Sequence, residues 1–151
     1  MIAWTYLDKK AAAIEALKDY SAMEFIILNR ENTENELRED MTTLPSSVPT
    51  GMPRGHNPKG GEARLAAKID EIDVLRERYR QALEYMEWFK PAWNELSEDE
   101  QFILTEFFLR EESNKSDAVL IIGDKLYLER AQVYRRKDKS VNRLAVLLYG
   151  K

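Results

Sequence analysis

The sequence predicts an all-α protein, in which a long antiparallel helical hairpin is followed by a helix-turn-helix domain. Three observations lead to this prediction. Apolar residues recur at three- and four-residue steps across two long stretches of the chain. A segment rich in Pro and Gly separates these two stretches. The last third of the chain combines a helix-capping signature with the spacing of two helices that meet at a tight turn.

The predicted hairpin occupies residues 1–95. Its first helix covers about residues 3–40, where a largely apolar stripe follows the helical period: Leu7, Ala11, Ile14, Leu17, Ser21, Phe25 and Leu28. Its second helix covers about residues 62–89 and carries a heptad-like seam: Leu65, Ile69, Ile72, Tyr79, Leu83 and Met86. We expect the two stripes to face each other. Pro91 predicts a kink or a stop, and the aromatic residues around it predict a packing junction rather than a ligand platform.

Residues 42–61 connect the two predicted helices. They hold four of the five prolines and four of the six glycines of the chain, so we expect a flexible linker. The only histidine, His56, lies in this linker, and the chain has no cysteine. We therefore expect no metal site, no cofactor and no catalytic residue. The N-terminal residues form no uninterrupted apolar run, so we expect neither a signal peptide nor a membrane span, and a cytoplasmic protein.

The second predicted domain covers residues 96–151. Ser97 followed by Glu100 is a capping-box signature and predicts that a helix begins there. Phe102, Ile103, Phe107 and Leu109 would supply the buried side of that helix. After a polar break, a shorter helix is predicted from Asp117 to about Leu126.

The residues that follow have the spacing of a helix-turn-helix. Gly123 provides the small residue at which the second helix crosses closely. The motif also requires apolar residues at four positions. These are the residue before Gly123, the third residue after it, a residue beyond the turn and a residue one turn into the second helix, and here they are Ile122, Leu126, Leu128 and Val133. Glu129 would cap the second helix of the motif. This helix covers residues 130–148 and ends at about Tyr149. The buried side of that helix would carry Val133, Val141, Leu144 and Leu148.

Charge is concentrated in this second helix. Residues 125–151 contain eight basic and two acidic side chains, which gives this segment a local charge of +6. Because the formal net charge of the whole chain is −4, residues 1–124 together carry a charge of −10. An acidic body with a basic end is a common layout for a protein that presents one face to a polyanion. With Val133 turned inward, Ala131, Tyr134, Arg135 and Asp138 would project outward near the helix start.

The predicted partner is double-stranded DNA. Outward residues at the start of such a helix enter the major groove, where Arg pairs with guanine; Arg130 lies in the first turn. Arg136, Lys137 and Lys139 are better placed to meet phosphates.

The last third of the chain resembles the promoter-reading C-terminal domain of bacterial sigma factors, and most closely phage and prophage transcriptional regulators of the ArpU type. The residues that carry the resemblance are Lys115, Ser116 and Asp117, then Tyr134, Arg135 and Lys137, then Arg143, Leu144 and Ala145. The N-terminal hairpin with its break SSVPTGMPRG is also similar to such proteins. The resemblance implies a sigma-like helix-turn-helix, with base contacts from Arg130, Ala131, Tyr134 and Arg135 and with Lys139 near the DNA backbone.

One departure from the sigma pattern concerns the turn. Sigma domains usually place Gly there, where this chain has Tyr127. We therefore expect either a wider turn or a residue in an uncommon backbone conformation.

These observations favour a sequence-specific DNA-binding transcriptional regulator, encoded by a phage and acting in the bacterial cytoplasm, without enzymatic activity. RNA polymerase is a second candidate partner, and a homodimer through the hairpin is a third. The alternative is an adaptor that binds RNA polymerase or another protein without reading DNA. A nuclease is disfavoured because the sequence shows no cluster of acids and histidine for catalytic metal.

Overall fold

The computed structural model describes residues 7–42, 59–110 and 114–150, and all regular secondary structure in these ranges is helical. This confirms the all-α class. The helices are α1 (Lys9–Lys18), α2 (Tyr20–Thr42), α3 (Lys59–Glu95), α4 (Glu98–Leu104), which continues as a π-helical turn (Thr105–Leu109), α5 (Lys115–Leu126) and α6 (Arg130–Tyr149). Residues 3–6 of the first predicted helix, most of the predicted linker with His56, and residues 111–113 of the polar break lie outside the described residues.

The predicted helix start at Ser97 is confirmed. The Ser97 hydroxyl accepts a hydrogen bond from the backbone N–H of Glu100 at 3.3 Å, and the Glu100 carboxylate accepts one from the Ser97 N–H at 3.4 Å. This reciprocal pair satisfies two N–H groups that a helix N-terminus leaves without partners. Asp8 caps α1 in a simpler way, since its carboxylate accepts from the Ala11 N–H at 3.2 Å.

The first predicted helix is interrupted at Asp19, so that α1 and α2 replace one continuous helix. No Gly or Pro marks this position. The hydroxyl of Tyr85 donates a hydrogen bond to the Ala16 carbonyl, which in an unbroken helix would accept from the N–H of Tyr20. The Tyr85 side chain of α3 thus competes with the Tyr20 N–H for the Ala16 carbonyl. Insertion of a side chain into the backbone hydrogen bonds of a helix is a known cause of helix distortion.

The second predicted helix is longer than expected at both ends, because α3 begins at Lys59 and continues through Pro91 to Glu95. Of the two expectations for Pro91, a kink or a stop, the stop was wrong. Proline removes one backbone hydrogen bond, yet its neighbours Phe89 and Ala92 are buried in the core. Tertiary packing on both sides of Pro91 therefore maintains the helix across it.

The described residues form two compact units. The first unit contains the residues up to Glu24 together with those from Glu84 onward, and the second contains Phe25–Leu83. The predicted domain boundary at residue 95 thus falls inside the first unit. The reason is that α1 packs against α6, the last helix, rather than serving only as half of a hairpin.

The main core of the first unit is built by α1, α3, α4 and α6. Its buried side chains are Ala13, Ala16, Leu17, Phe89, Ala92, Leu96, Leu104, Val141, Leu144, Ala145 and Leu148. Phe89 is fully buried at its centre, with its ring centroid 5.2 Å from Tyr85, 6.0 Å from Trp93 and 5.6 Å from Tyr20. The aromatic cluster therefore has the packing role that the sequence predicts.

A second core in the same unit joins α4 to α5 and α6. Its buried residues are Ile103, Val119, Ile122 and Val133, with Phe102, Phe107, Leu126, Leu128 and Tyr134 packed around them. The π-helical turn gives α4 a wider last turn, closed by a hydrogen bond from the Arg110 N–H to the Thr105 carbonyl at 3.2 Å. Within this turn Phe107 faces the second core and Phe108 faces the main core.

In the second unit, charged and aromatic side chains link α2 to α3, and Ile72 of α3 is buried. Glu34 accepts from Arg76 at 3.1 Å and from Arg38 at 2.8 Å, and the Arg30 guanidinium lies 4.2 Å from the ring centroid of Tyr79. The hydrogen bond from Arg76 lowers the pKa of the Glu34 carboxyl.

The predicted facing of two apolar stripes was wrong for most of this unit: of the α3 seam Leu65, Ile69 and Leu83 are exposed and only Ile72 is buried, and α2 is more exposed still. Phe25 and Leu28 are 65% and 73% exposed. The Leu17 end of the same stripe lies in the core of the first unit instead.

Candidate nucleic-acid interface

The turn between α5 and α6 contains the residues 127–129. Tyr127 adopts the left-handed conformation with φ of 56°, so of the two expectations for this position the uncommon backbone conformation is confirmed. The next N–H, that of Leu128, donates to the Gly123 carbonyl at 3.0 Å. This bond and the left-handed residue form a helix C-cap of the type usually made by glycine.

Gly123 is required by this turn rather than by the second helix. A Cβ atom added at Gly123 would lie 3.0 Å from the carbonyl oxygen of Leu128, a backbone atom of the turn. The prediction that α6 itself crosses closest at Gly123 is corrected accordingly. The small residue therefore allows the chain to fold back closely at the end of α5.

Helix α6 has one buried and one exposed side. Its start is capped at Glu129, whose backbone N–H donates to the Gln132 side-chain oxygen at 3.0 Å. All four predicted inward residues are buried: Val133, Val141, Leu144 and Leu148. Because a helix repeats every 3.6 residues, Ala131, Arg135, Lys139 and Asn142 share the opposite, exposed side.

Three basic side chains on the exposed part of α6 are available to a partner. Arg135, Arg136 and Lys139 are exposed, and in the described part of the chain their side chains make no hydrogen bond or ion pair. Lys137 and Arg143 of the same helix, by contrast, have intramolecular partners. An unpaired row of cations on a helix whose opposite side is fully packed is suited to a polyanion.

Arg130 and Tyr134 lie near the start of α6 but outside this row, because the helical period places Arg130 on the side of Lys137 and Tyr134 between the buried and the exposed sides. Arg130 is exposed, and its guanidinium is 6.0 Å from the ring centroid of Tyr134. The Tyr134 ring is half-buried against the second core and lies 6.1 Å from the ring of Phe107. Tyr134 therefore packs against the second core and lies between the buried and the exposed sides of α6, whereas the sequence predicts that it projects outward only.

Lys137 differs from the other predicted phosphate contacts. It follows Val133 by four residues and precedes Val141 by four, so it belongs to the buried side of α6. Its side chain is 21% exposed, and its ammonium lies 5.2 Å from the Phe107 ring centroid and 5.4 Å from that of Tyr134. This position corrects the expectation that Lys137 points toward phosphates together with Lys139.

Two charged contacts of α6 were not predicted. Arg143 donates hydrogen bonds to the Glu100 carboxylate and, at 3.1 Å, to the Glu95 carbonyl. Lys10 of α1 lies 3.4 Å from Asp138. The members of each pair are far apart in the sequence, so no periodicity could have revealed them.

The described residues offer no group of three or more His, Cys, Asp or Glu side chains that could hold a metal ion. No helix within these ranges is long and apolar enough to cross a membrane. Comparisons of the chain with protein-family models, with curated proteins and with solved structures find no match.

Proposed function

We propose that the protein is a sequence-specific DNA-binding transcriptional regulator that inserts the helix 130–148 into the major groove. The observation that carries this proposal is the exposed row of Arg135, Arg136 and Lys139, which lack partners within the described residues. The row belongs to a helix that follows a tight turn and is buried on its other side. The acidic remainder of the chain keeps other surfaces from binding the same polyanion.

The chemistry of each side chain indicates whether it contacts a base or a phosphate of the DNA. Arg135 lies near the middle of the exposed side and presents a planar guanidinium, which pairs with two acceptors of guanine. Lys139 and Arg136 contribute charge to phosphates, and Arg130 contributes at the helix start. The resemblance to sigma factors and to ArpU-type phage regulators supports the same assignment. It also supports an architecture in which a helical hairpin is combined with a sigma-like helix-turn-helix. By the same resemblance, the protein is encoded by a phage and acts in the bacterial cytoplasm.

A single recognition helix reads only a few base pairs, so useful specificity requires a second contact. We include in the proposal that this contact comes from a second copy of the chain, bound through the hairpin, or from RNA polymerase. Measuring the mass of the complex in solution with and without DNA distinguishes a dimer from a monomer.

The test of DNA recognition is a binding titration. Duplexes selected by the wild-type chain from a random library are compared with shuffled duplexes of the same composition at several salt concentrations. We expect tight binding to the selected duplexes, loss of that preference in Arg135→Ala, and weak, steeply salt-dependent binding to every duplex. Equal affinity for all sequences would exclude sequence-specific recognition, and no binding at physiological salt would exclude a DNA-binding function.

One observation favours the adaptor as a second candidate. Leu120 is 64% exposed and Tyr127 is 93% exposed, and both lie at α5 and its turn rather than on α6. Exposed apolar and aromatic side chains of this kind are typical of protein contacts. Combined replacement of Arg130, Arg135, Arg136 and Lys139 discriminates between the two functions, because an adaptor that never contacts DNA keeps its activity after the change.

A further inference from the structure

We propose that Lys10 of α1 is part of the DNA interface, where it contacts a phosphate on one wall of the major groove and is held by Asp138 when DNA is absent. This inference rests on the proposed function. Its starting point is a contact between residues separated by 128 positions: Lys10 Nζ lies 3.4 Å from Asp138 Oδ1. Helix α1 thereby brings a cation beside the helix that we expect to read DNA.

The position of Lys10 is set by packing along α1. Ala13 and Leu17, one and two turns further on, are fully buried in the core that also contains Val141 and Leu144 of α6. Polar contacts attach α1 to the end of α6 as well, since Lys9 donates to the Gly150 carbonyl at 3.2 Å. Lys10 is thus the exposed end of a firmly anchored helix rather than a freely placed surface lysine.

The charge pattern around α6 explains why a cation is needed there. The helical period places Arg136 and Arg143 on one flank of the exposed side and Ala131 and Asp138 on the other. Phosphates line both walls of the major groove, so Asp138 alone would repel the strand on its flank. Lys10 supplies a half-exposed positive charge on that flank, whereas the cation that α6 itself places near Asp138, Lys137, is only 21% exposed.

The pair is arranged so that phosphate can replace the carboxylate. The side chains of Lys10 and Asp138 are 45% and 53% exposed, so DNA can reach both. An ion pair in contact with water is weak, and exchanging one anion for another costs little. Asp138 does not lose its neutralisation when Lys10 turns to DNA, because Lys137 Nζ lies 3.9 Å from the same carboxylate oxygen.

The experiment compares Lys10→Ala with a matched control, Lys18→Ala. Lys18 is also on α1, and its 51% exposed side chain pairs at 3.2 Å with Glu15 of the same helix. Affinity of the full-length chain is measured by fluorescence anisotropy on a labelled selected duplex and on its shuffled counterpart, over a series of NaCl concentrations. Thermal melting followed by circular dichroism verifies that both variants remain folded.

We expect Lys10→Ala to reduce the slope of log affinity against log salt by about 1 and to weaken binding several-fold on both duplexes. Lys18→Ala should keep the wild-type slope. Repeating Lys10→Ala in an Asp138→Asn background separates two roles of the lysine. A phosphate contact predicts that the loss of slope persists there, whereas a lysine that only balances Asp138 predicts that the effect disappears.

Equal slopes for Lys10→Ala and Lys18→Ala would overturn the inference, as would an effect that vanishes with Asp138→Asn. If Arg135→Ala abolishes specific binding while Lys10→Ala retains the wild-type slope, the inference fails and the proposed function stands. If the wild-type chain binds neither duplex, both fail.

Discussion

Arg143, in the most basic segment of the chain, donates a hydrogen bond to the carboxylate of Glu100 at the start of α4. The same guanidinium bonds the Glu95 carbonyl at 3.1 Å and so ties α6 to the junction between α3 and α4. Glu100 in turn caps α4 through the Ser97 N–H. This arginine therefore has an architectural role, although a count of charge would assign it to the same group as Arg135.

Replacing Arg143 by Ala should lower the free energy of unfolding by about 1 kcal/mol, since both interhelical bonds are lost at a half-exposed site. The affinity for DNA should change less than in Arg135→Ala. Urea denaturation and a DNA titration measure the two effects. Arg136→Ala is the matched control, with unchanged stability and weaker DNA binding. A stability equal to wild type in Arg143→Ala would contradict the architectural role.

Replacing Tyr127 by Gly should stabilise the protein by about 1 kcal/mol, because a left-handed backbone conformation is costly for any residue with a Cβ. Tyr127 is 93% exposed, so its removal sacrifices little buried surface. Urea denaturation provides the measurement. Tyr127→Ala is the control that removes the ring and keeps the Cβ, and it should show no such gain. Equal stabilities of the Gly and Ala variants would show that backbone strain at residue 127 is absent.

Replacing Lys139 by Met should weaken DNA binding and reduce its salt dependence by about 1 in slope, because an exposed phosphate contact is removed. Lys137→Met should reduce affinity much less, since that side chain lies over two aromatic rings on the buried side of α6. Both variants lose one charge, so general electrostatics are matched. Anisotropy titrations at several salt concentrations measure the difference, and equal losses would contradict the orientation of Lys137.

Stability should fall at high pH through Tyr85. Burial, with a smaller contribution from Asp19, raises the pKa of the Tyr85 hydroxyl above its ordinary value. The folded state then retains a proton that the unfolded chain loses, so the stabilisation is complete below about pH 10 and is lost as the pH rises further.

Urea denaturation from about pH 7 to about pH 11 measures this loss. In Tyr85→Phe the decline at high pH should be weaker. The same variant should be less stable at neutral pH by about 1 kcal/mol, because the Ala16 carbonyl loses its donor. A decline identical to that of the wild type would assign the pH dependence to other groups.

Local patterns predicted the helical class and the elements of the C-terminal third. Ser97 and Glu100 predicted a helix start because capping depends on residues only three positions apart. Val133, Val141, Leu144 and Leu148 predicted the buried side of α6 because burial on a helix follows its period. The same period also places Lys137 on that side, so its orientation could have been predicted as well.

Contacts between distant segments decided the remaining features. The interruption at Asp19 depends on a hydroxyl from Tyr85, and the helix across Pro91 depends on the packing of its neighbours. Neither effect leaves a mark within the local sequence, because the competing groups come from other helices.

The sequence by itself determined the all-α class, the helices of the C-terminal third, which side of α6 is apolar and where positive charge accumulates, since these properties depend on neighbours within one or two helical turns. Only the tertiary structure decided which cations remain unpaired. Packing of α1 against α6 brings Lys10 to Asp138, and the junction of α3 with α4 brings Glu100 to Arg143. Ion pairs join residues that are distant in the sequence. The folded structure was therefore needed to distinguish the unpaired cations Arg135 and Lys139 from cations with an architectural role.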